Sequence, residues 1–143
     1  MLESVLNTIL DVIFWLYFSN AILLIIHEIE SAYWKEWELF KIKGGLTFFL
    51  ILHVPIIGLI MFGLIEMFLA SQIGLIISII LSLGGLFAFS IHVYFIKKGN
   101  DEFKLPISII ILCSILIISL AQLVLTLLVI FTPVLSTCGI CSF

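Results

Sequence analysis

Residues 46–68 read LTFFLILHVPIIGLIMFGLIEMF, an apolar run broken only by His53, Pro55 and, near its end, Glu66. A helix rising about 1.5 Å per residue crosses a hydrocarbon core of about 30 Å in about 20 residues, so this stretch is long enough to span a membrane. Three more stretches have the same character: Val5–Ile26, Ile73–Ile96 and Leu105–Thr132. Composition agrees with them. The 143 residues are 64% hydrophobic and only 10% charged, with a mean hydropathy of +1.42. An ordinary soluble domain is about half apolar and about a quarter charged. Little else in the chain could cover four such helices in water, so lipid is the expected solvent. Short connections make sequential helices antiparallel neighbours. The expected fold is an all-α, up-down, integral-membrane four-helix bundle, forming one domain over residues 1–143. Residues 133–143 are expected as a short outward tail.

The orientation follows from lysine, because the chain contains no arginine. Lys35, Lys41 and Lys43 lie between the first two apolar stretches, and Lys97, Lys98 and Lys104 between the last two. The N-terminus, the Ala70–Gln72 turn and the C-terminal tail carry none. The positive-inside rule then makes both lysine-bearing loops cytoplasmic and both termini outward, as in a bacterial inner membrane. Met1-Leu2-Glu3-Ser4 provides no positive leader region, and no small-residue cleavage site follows the first run, which is expected to be a retained helix. A formal charge of −3 without any basic run argues against a nucleic-acid partner.

The first lysine-bearing loop, Ser31–Gly45, carries Tyr33, Trp34, Trp37 and Phe40 among Lys35, Glu36, Glu38 and Lys41. Aromatic rings at helical spacing among charges suit a short amphipathic helix in the headgroup region. Its aromatic residues are expected to be interfacial anchors. Gly44-Gly45 then lets the chain turn into the second span.

The three histidines are expected in the half of the membrane that faces the lysine-bearing loops. His27-Glu28-Ile29-Glu30 ends the first run, His92 lies about 6 Å inside the same boundary, and His53 about 10 Å inside. On the third run Gly74, Ser78, Ser82, Gly85 and His92 fall within about 80° of one another, a stripe suited to close helix packing. On the first, Asn20 and Glu30 flank His27 within about 60°, which favours Glu30 over Glu28 as a partner of that histidine. Pro55, two residues after His53, cannot donate to the carbonyl of Ile51 and predicts a local kink. Ser119, Gln122 and Thr126 share a face of the fourth run and are suited to interhelical hydrogen bonds.

Ionisable groups within spans usually face the bundle interior and mark function. His27, Glu30, His53 and His92 together offer the nitrogen and oxygen ligands that zinc or iron takes. The same residues equally suit a metal-free polar pocket or a proton relay, or simple structural hydrogen bonding. HEIES is not the HExxH protease motif, since Ser31 stands where the second histidine would be. Asn7, Asp11 and Glu66 lie near the outer ends, where solvation is the simplest expectation. Cys138 and Cys141 form a CxxC on the outward side, suited to a small disulfide. Redox catalysis is disfavoured, because the third cysteine, Cys113, is alone and in the opposite half.

Three blocks carry a resemblance: HEIESAYWKEWELF (27–40), LFAFSIH (86–92) and FKLPIS (103–108). They resemble an uncharacterised family of small bacterial four-pass membrane proteins, a domain of unknown function with an AYWxEWELF-type block followed by Gly-Gly. The likeness covers most of the chain, from the first helix into the fourth, and leaves the CxxC outside. It implies the four-helix membrane fold and brings no activity and no catalytic residue. The leading expectation is therefore a membrane protein whose cytoplasmic-side pocket binds a metal or a small ligand; metal-assisted chemistry on a lipid-like substrate is the enzyme reading that fits best. The alternatives are an oligomeric transporter or proton-coupled subunit, and a structural subunit packing on a second copy or a membrane partner.

Overall fold

The first three apolar runs become helices longer than hydropathy assigns, most of all the first, and the fourth is shorter by one residue at each end. The computed structural model describes residues 2–99 and 105–132. Among them the helices are α1 (Leu2–Tyr33), α2 (Glu36–Leu39), α3 (Gly45–Phe68), α4 (Gln72–Lys97) and α5 (Pro106–Phe131). All except α2 are long and apolar enough to cross a membrane, and the protein is an integral membrane protein with an all-α four-helix bundle. Packing runs in a ring, α1 on α3, α3 on α4, α4 on α5 and α5 on α1, with α1 also touching α4 across the diagonal. The tail with Cys138 and Cys141, and Lys104 of the second lysine-bearing loop, lie outside the described residues.

Two boundaries differ from expectation. The helix α1 runs through Tyr33, so His27–Glu30 sits within it and not at its end. Between Ser31 and Gly45 only the single turn of α2 is separately helical, because Lys35 takes a left-handed conformation (φ 53°) and breaks the run. The break turns Glu36 and Trp37 inward, and both are buried. Trp37 stands 5.4 Å from the ring of Phe49, as part of the interior and not as a membrane anchor. Tyr33 and Phe40 remain exposed.

The α3–α4 hairpin is closed by local chemistry. Ala70 adopts φ 51°, its N–H bonds to Met67 O at 3.0 Å, and Ser71 N–H bonds to Glu66 O at 3.0 Å. That is the pairing of a Schellman C-cap. Ser71 then caps α4, accepting from Gly74 N–H at 2.9 Å while donating to Glu66 Oε2 at 2.5 Å. One serine thus ends one helix and begins the next, and Gly74 packs directly on the backbone of α3.

In the middle of the bundle a polar network joins α1, α4 and α5. Asn20 Nδ2 donates to Gln122 Oε1 at 2.9 Å and to Ser119 Oγ at 3.0 Å. Gln122 Nε2 donates to Ser78 Oγ at 2.9 Å and to Ser78 O at 3.1 Å. Thr126 donates to the Gln122 carbonyl at 2.7 Å, so the Ser78 hydroxyl is the donor in its 3.0 Å bond with Thr126. Asn20, Ser78, Ser119, Gln122 and Thr126 are all fully buried. Buried amides need this completeness, because lipid offers no water to replace a missing partner. The small-residue stripe of α4 is buried along its length, including Gly74, Ser78, Ser82, Gly85 and His92. At Gly85 an added Cβ would collide with the Ser119 hydroxyl.

On the other side, α3 is held less closely. Tyr17 of α1 donates to Ile60 O at 2.9 Å across the space that Gly63 leaves open. Above that bond, toward the lysine-bearing end, α1, α3 and α4 part to leave a crevice.

Candidate functional site: a crevice with one polar end

The crevice holds about 440 Å³ and is bordered by α1, α2, α3 and α4. Along α4 its walls run from Ile77 to His92, about 22 Å of helix at about 1.5 Å per residue. Most of that length is apolar, lined by such residues as Leu24, Leu52, Ile56, Ile80 and Phe87. Apart from Tyr17, whose hydroxyl is committed to Ile60 O, the polar lining groups gather at the lysine-bearing end: His27 and Glu28 from α1, Glu36 from α2, His53 from α3 and His92 from α4.

Their arrangement follows from helix geometry. His53 and His92 behave alike, each bonding through Nδ1 to the carbonyl one turn earlier, Phe49 O at 2.6 Å and Ala88 O at 2.7 Å. A carbonyl can only accept, so Nδ1 carries the proton in both rings and Nε2 points away from the helix. For His53 that nitrogen meets Glu28 Oε2 at 2.6 Å. A contact that short holds one proton between the two atoms. Whether written as imidazolium and carboxylate or as imidazole and carboxylic acid, the pair has no net charge. For His92 the carboxylate is Glu36, with Nε2 to Oε1 at 3.5 Å. His27 stands edge-on to His92 with ring centroids 4.5 Å apart, and its Nδ1 is buried without a hydrogen-bond partner among the described residues. Phe49 stacks on His53 at 3.9 Å and, with Trp37, closes the polar end with aromatic surface.

The four residues expected as metal ligands are therefore distributed, not gathered. His27 and His92 meet each other, His53 is held by Glu28, and Glu30 accepts from the Ser108 hydroxyl of α5. Among the described residues no group of three or more His, Cys, Asp or Glu side chains is arranged to hold a metal ion. Zinc ligands must converge at about 2.0–2.3 Å on one point, which these do not. The preference for Glu30 over Glu28 fails for a geometric reason. Successive residues of α1 turn by about 100°, and α1 has neighbours on three sides. His27 consequently meets α4, Glu28 meets α3 and Glu30 meets α5. No spacing rule marks Glu36 and Trp37 as inward-facing, since the inward turn depends on the left-handed Lys35. At the opposite end Asn7 and Asp11 are exposed and Glu66 serves the hairpin, so these three do not assemble a second polar site.

The His53–Glu28 pair makes a specific stability prediction. Changing His53 to leucine removes the partner of a carboxyl whose side chain is only 27% exposed, at an expected cost of about 1–3 kcal/mol. Changing Glu28 to glutamine leaves an N–H to donate to His53 Nε2 and should cost well under half of that. Denaturant titration in mixed micelles, followed by circular dichroism, compares the two. Equal losses would contradict a pair that shares a single proton.

Fold and site together define a four-helix integral membrane protein with an apolar crevice opening onto a histidine–carboxylate end. A family model matches residues 13–129, which include all of α2, α3 and α4 and every polar residue of the crevice. The chain belongs to that family, a family of unknown function (DUF6713). No curated protein and no solved structure matches it.

Proposed function

We propose that this protein binds an amphipathic small molecule, whose apolar body fills the crevice and whose polar group meets His27, Glu28, Glu36, His53 and His92. One observation carries this reading: a cavity of about 440 Å³ whose walls are apolar for most of their length and whose histidine and carboxyl groups stand together at one end. Small-molecule sites are commonly about 300–1,000 Å³, largely apolar, with a few convergent polar groups that orient the ligand. A molecule dissolved in the membrane would enter sideways between helices, and a head at the interface matches the depth of the histidines. The distribution of the expected metal donors over three helix contacts favours an organic ligand over zinc or iron. The lysine distribution supports placing this polar end on the cytoplasmic side.

Gly84 offers the test. It lines the crevice, and a Cβ there would meet nothing within 4 Å. A Gly84→Leu side chain would occupy ligand space without displacing the helices. Wild-type protein purified in mild detergent should retain a specific amphipath in its organic extract, near one per chain by mass spectrometry. Gly84→Leu should lose that species while keeping its unfolding midpoint. Identical extracts from the two proteins would overturn the reading.

A further inference from the structure

We propose that the ligand's polar head is an amine, so that the protein selects cationic amphiphiles over neutral or anionic ones of the same chain length. This inference rests on the binding reading above and adds the chemistry of the head.

Among the described residues the lining of the crevice contains two carboxyl groups, Glu28 and Glu36, and three imidazoles, with no lysine or arginine. That inventory already disfavours a phosphate or a fatty-acid head, since no fixed cation among the described residues faces the cavity to receive it. The two carboxyl groups are not equivalent. Glu28 is closed against His53 at 2.6 Å in a pair without net charge. Glu36 is buried, at 8% exposure, and its nearer oxygen is 3.5 Å from His92 Nε2, a looser approach. His92 and His27 are edge-on at 4.5 Å, and two imidazolium rings that close would repel, so at most one positive charge is available from them. An ammonium head beside Glu36 adds a fixed cation and N–H donors to the looser approach that His92 makes.

Two further observations point the same way. His27 is 2% exposed, lines the crevice and has no hydrogen-bond partner for Nδ1 among the described residues. In the tautomer protonated at Nε2, this atom accepts a hydrogen bond, as an ammonium head requires. Trp37 and Phe49 flank the same end, and aromatic faces attract a desolvated cation. A carboxylate, a buried acceptor and aromatic surface around one opening suit an alkylammonium better than an alcohol, which would bring no fixed cation to Glu36.

The full chain in phosphatidylcholine nanodiscs tests this with three probes of one chain length: tetradecylamine, tetradecanol and tetradecyl phosphate. The readout is the rise in unfolding temperature against the mole fraction of each probe in the membrane. The amine should half-saturate at a mole fraction about tenfold lower than the alcohol, and the phosphate should not stabilise. Glu36→Gln should bring the amine to the level of the alcohol. Glu38→Gln, an exposed change on the same turn, should leave the preference intact and so exclude a general charge effect. If Glu36→Gln does not fold, the wild-type series decides alone. Saturation by alcohol at the same mole fraction as amine, or stabilisation by phosphate, overturns the choice of head while leaving the binding reading standing. Failure of all three probes to stabilise, with Gly84→Leu indistinguishable from wild type, overturns both.

Discussion

Replacing Gly74 with alanine is expected to cost about 2–3 kcal/mol, the largest single loss predicted for this fold. A Cβ at this position would lie 2.6 Å from the carbonyl carbon of Glu66, 2.7 Å from its oxygen and 2.7 Å from Met67 N. These are backbone atoms of the last turn of α3, so no side-chain rotation relieves the collision. The α3–α4 hairpin must open or slide, which also strains the bond from Gly74 N–H to Ser71 Oγ. Alanine is intrinsically the better helix residue by about 1 kcal/mol, so the collision must first outweigh that gain. Gly84→Ala is the matched control, on the same helix with open space around its Cβ, and should be neutral or slightly stabilising. Unfolding midpoints of the two variants in mixed micelles check the pair, and equal midpoints would show that the hairpin is not packed backbone to backbone.

The second large effect is expected in the central network. Asn20→Leu leaves Gln122 Oε1 without its donor and takes from Ser119 its amide partner, in a setting where no water replaces either. Gln122→Leu removes the donor to Ser78 together with the acceptor for Asn20. Each single change should cost about 2 kcal/mol, within the usual penalty for an orphaned buried group. The double variant should cost less than the sum by about 1 kcal/mol, the order of the largest interhelical couplings measured in membranes. A double-mutant cycle on unfolding free energies measures that coupling. Strict additivity would mean that the two amides act independently and that the network is not one unit.

Architecture was legible from the chain because a membrane makes hydropathy nearly sufficient. Four long apolar runs with short connections leave few arrangements, and the small-residue stripe from Gly74 to His92 identifies the buried face of its helix. Ser119, Gln122 and Thr126 were likewise readable as interhelical bonders, since a buried amide in lipid must find a partner. The site was less legible. Its residue types were visible at the correct end, but their pairing was not. The angle between His27 and Glu30 on one helix says nothing about which of three neighbours each side chain meets.

Composition and periodicity alone therefore determine that this is a four-helix membrane protein with its histidines toward the lysine-bearing end. Both depend on single-helix properties: length against the thickness of lipid, and rise per residue. Three-dimensional packing decides that Glu28 and not Glu30 joins the crevice, that a left-handed Lys35 brings Glu36 and Trp37 into it, and that the four expected metal donors part company. Those outcomes depend on how helices rotate against one another and where the loop folds back. Such contacts join residues far apart in the chain, and no local spacing encodes them.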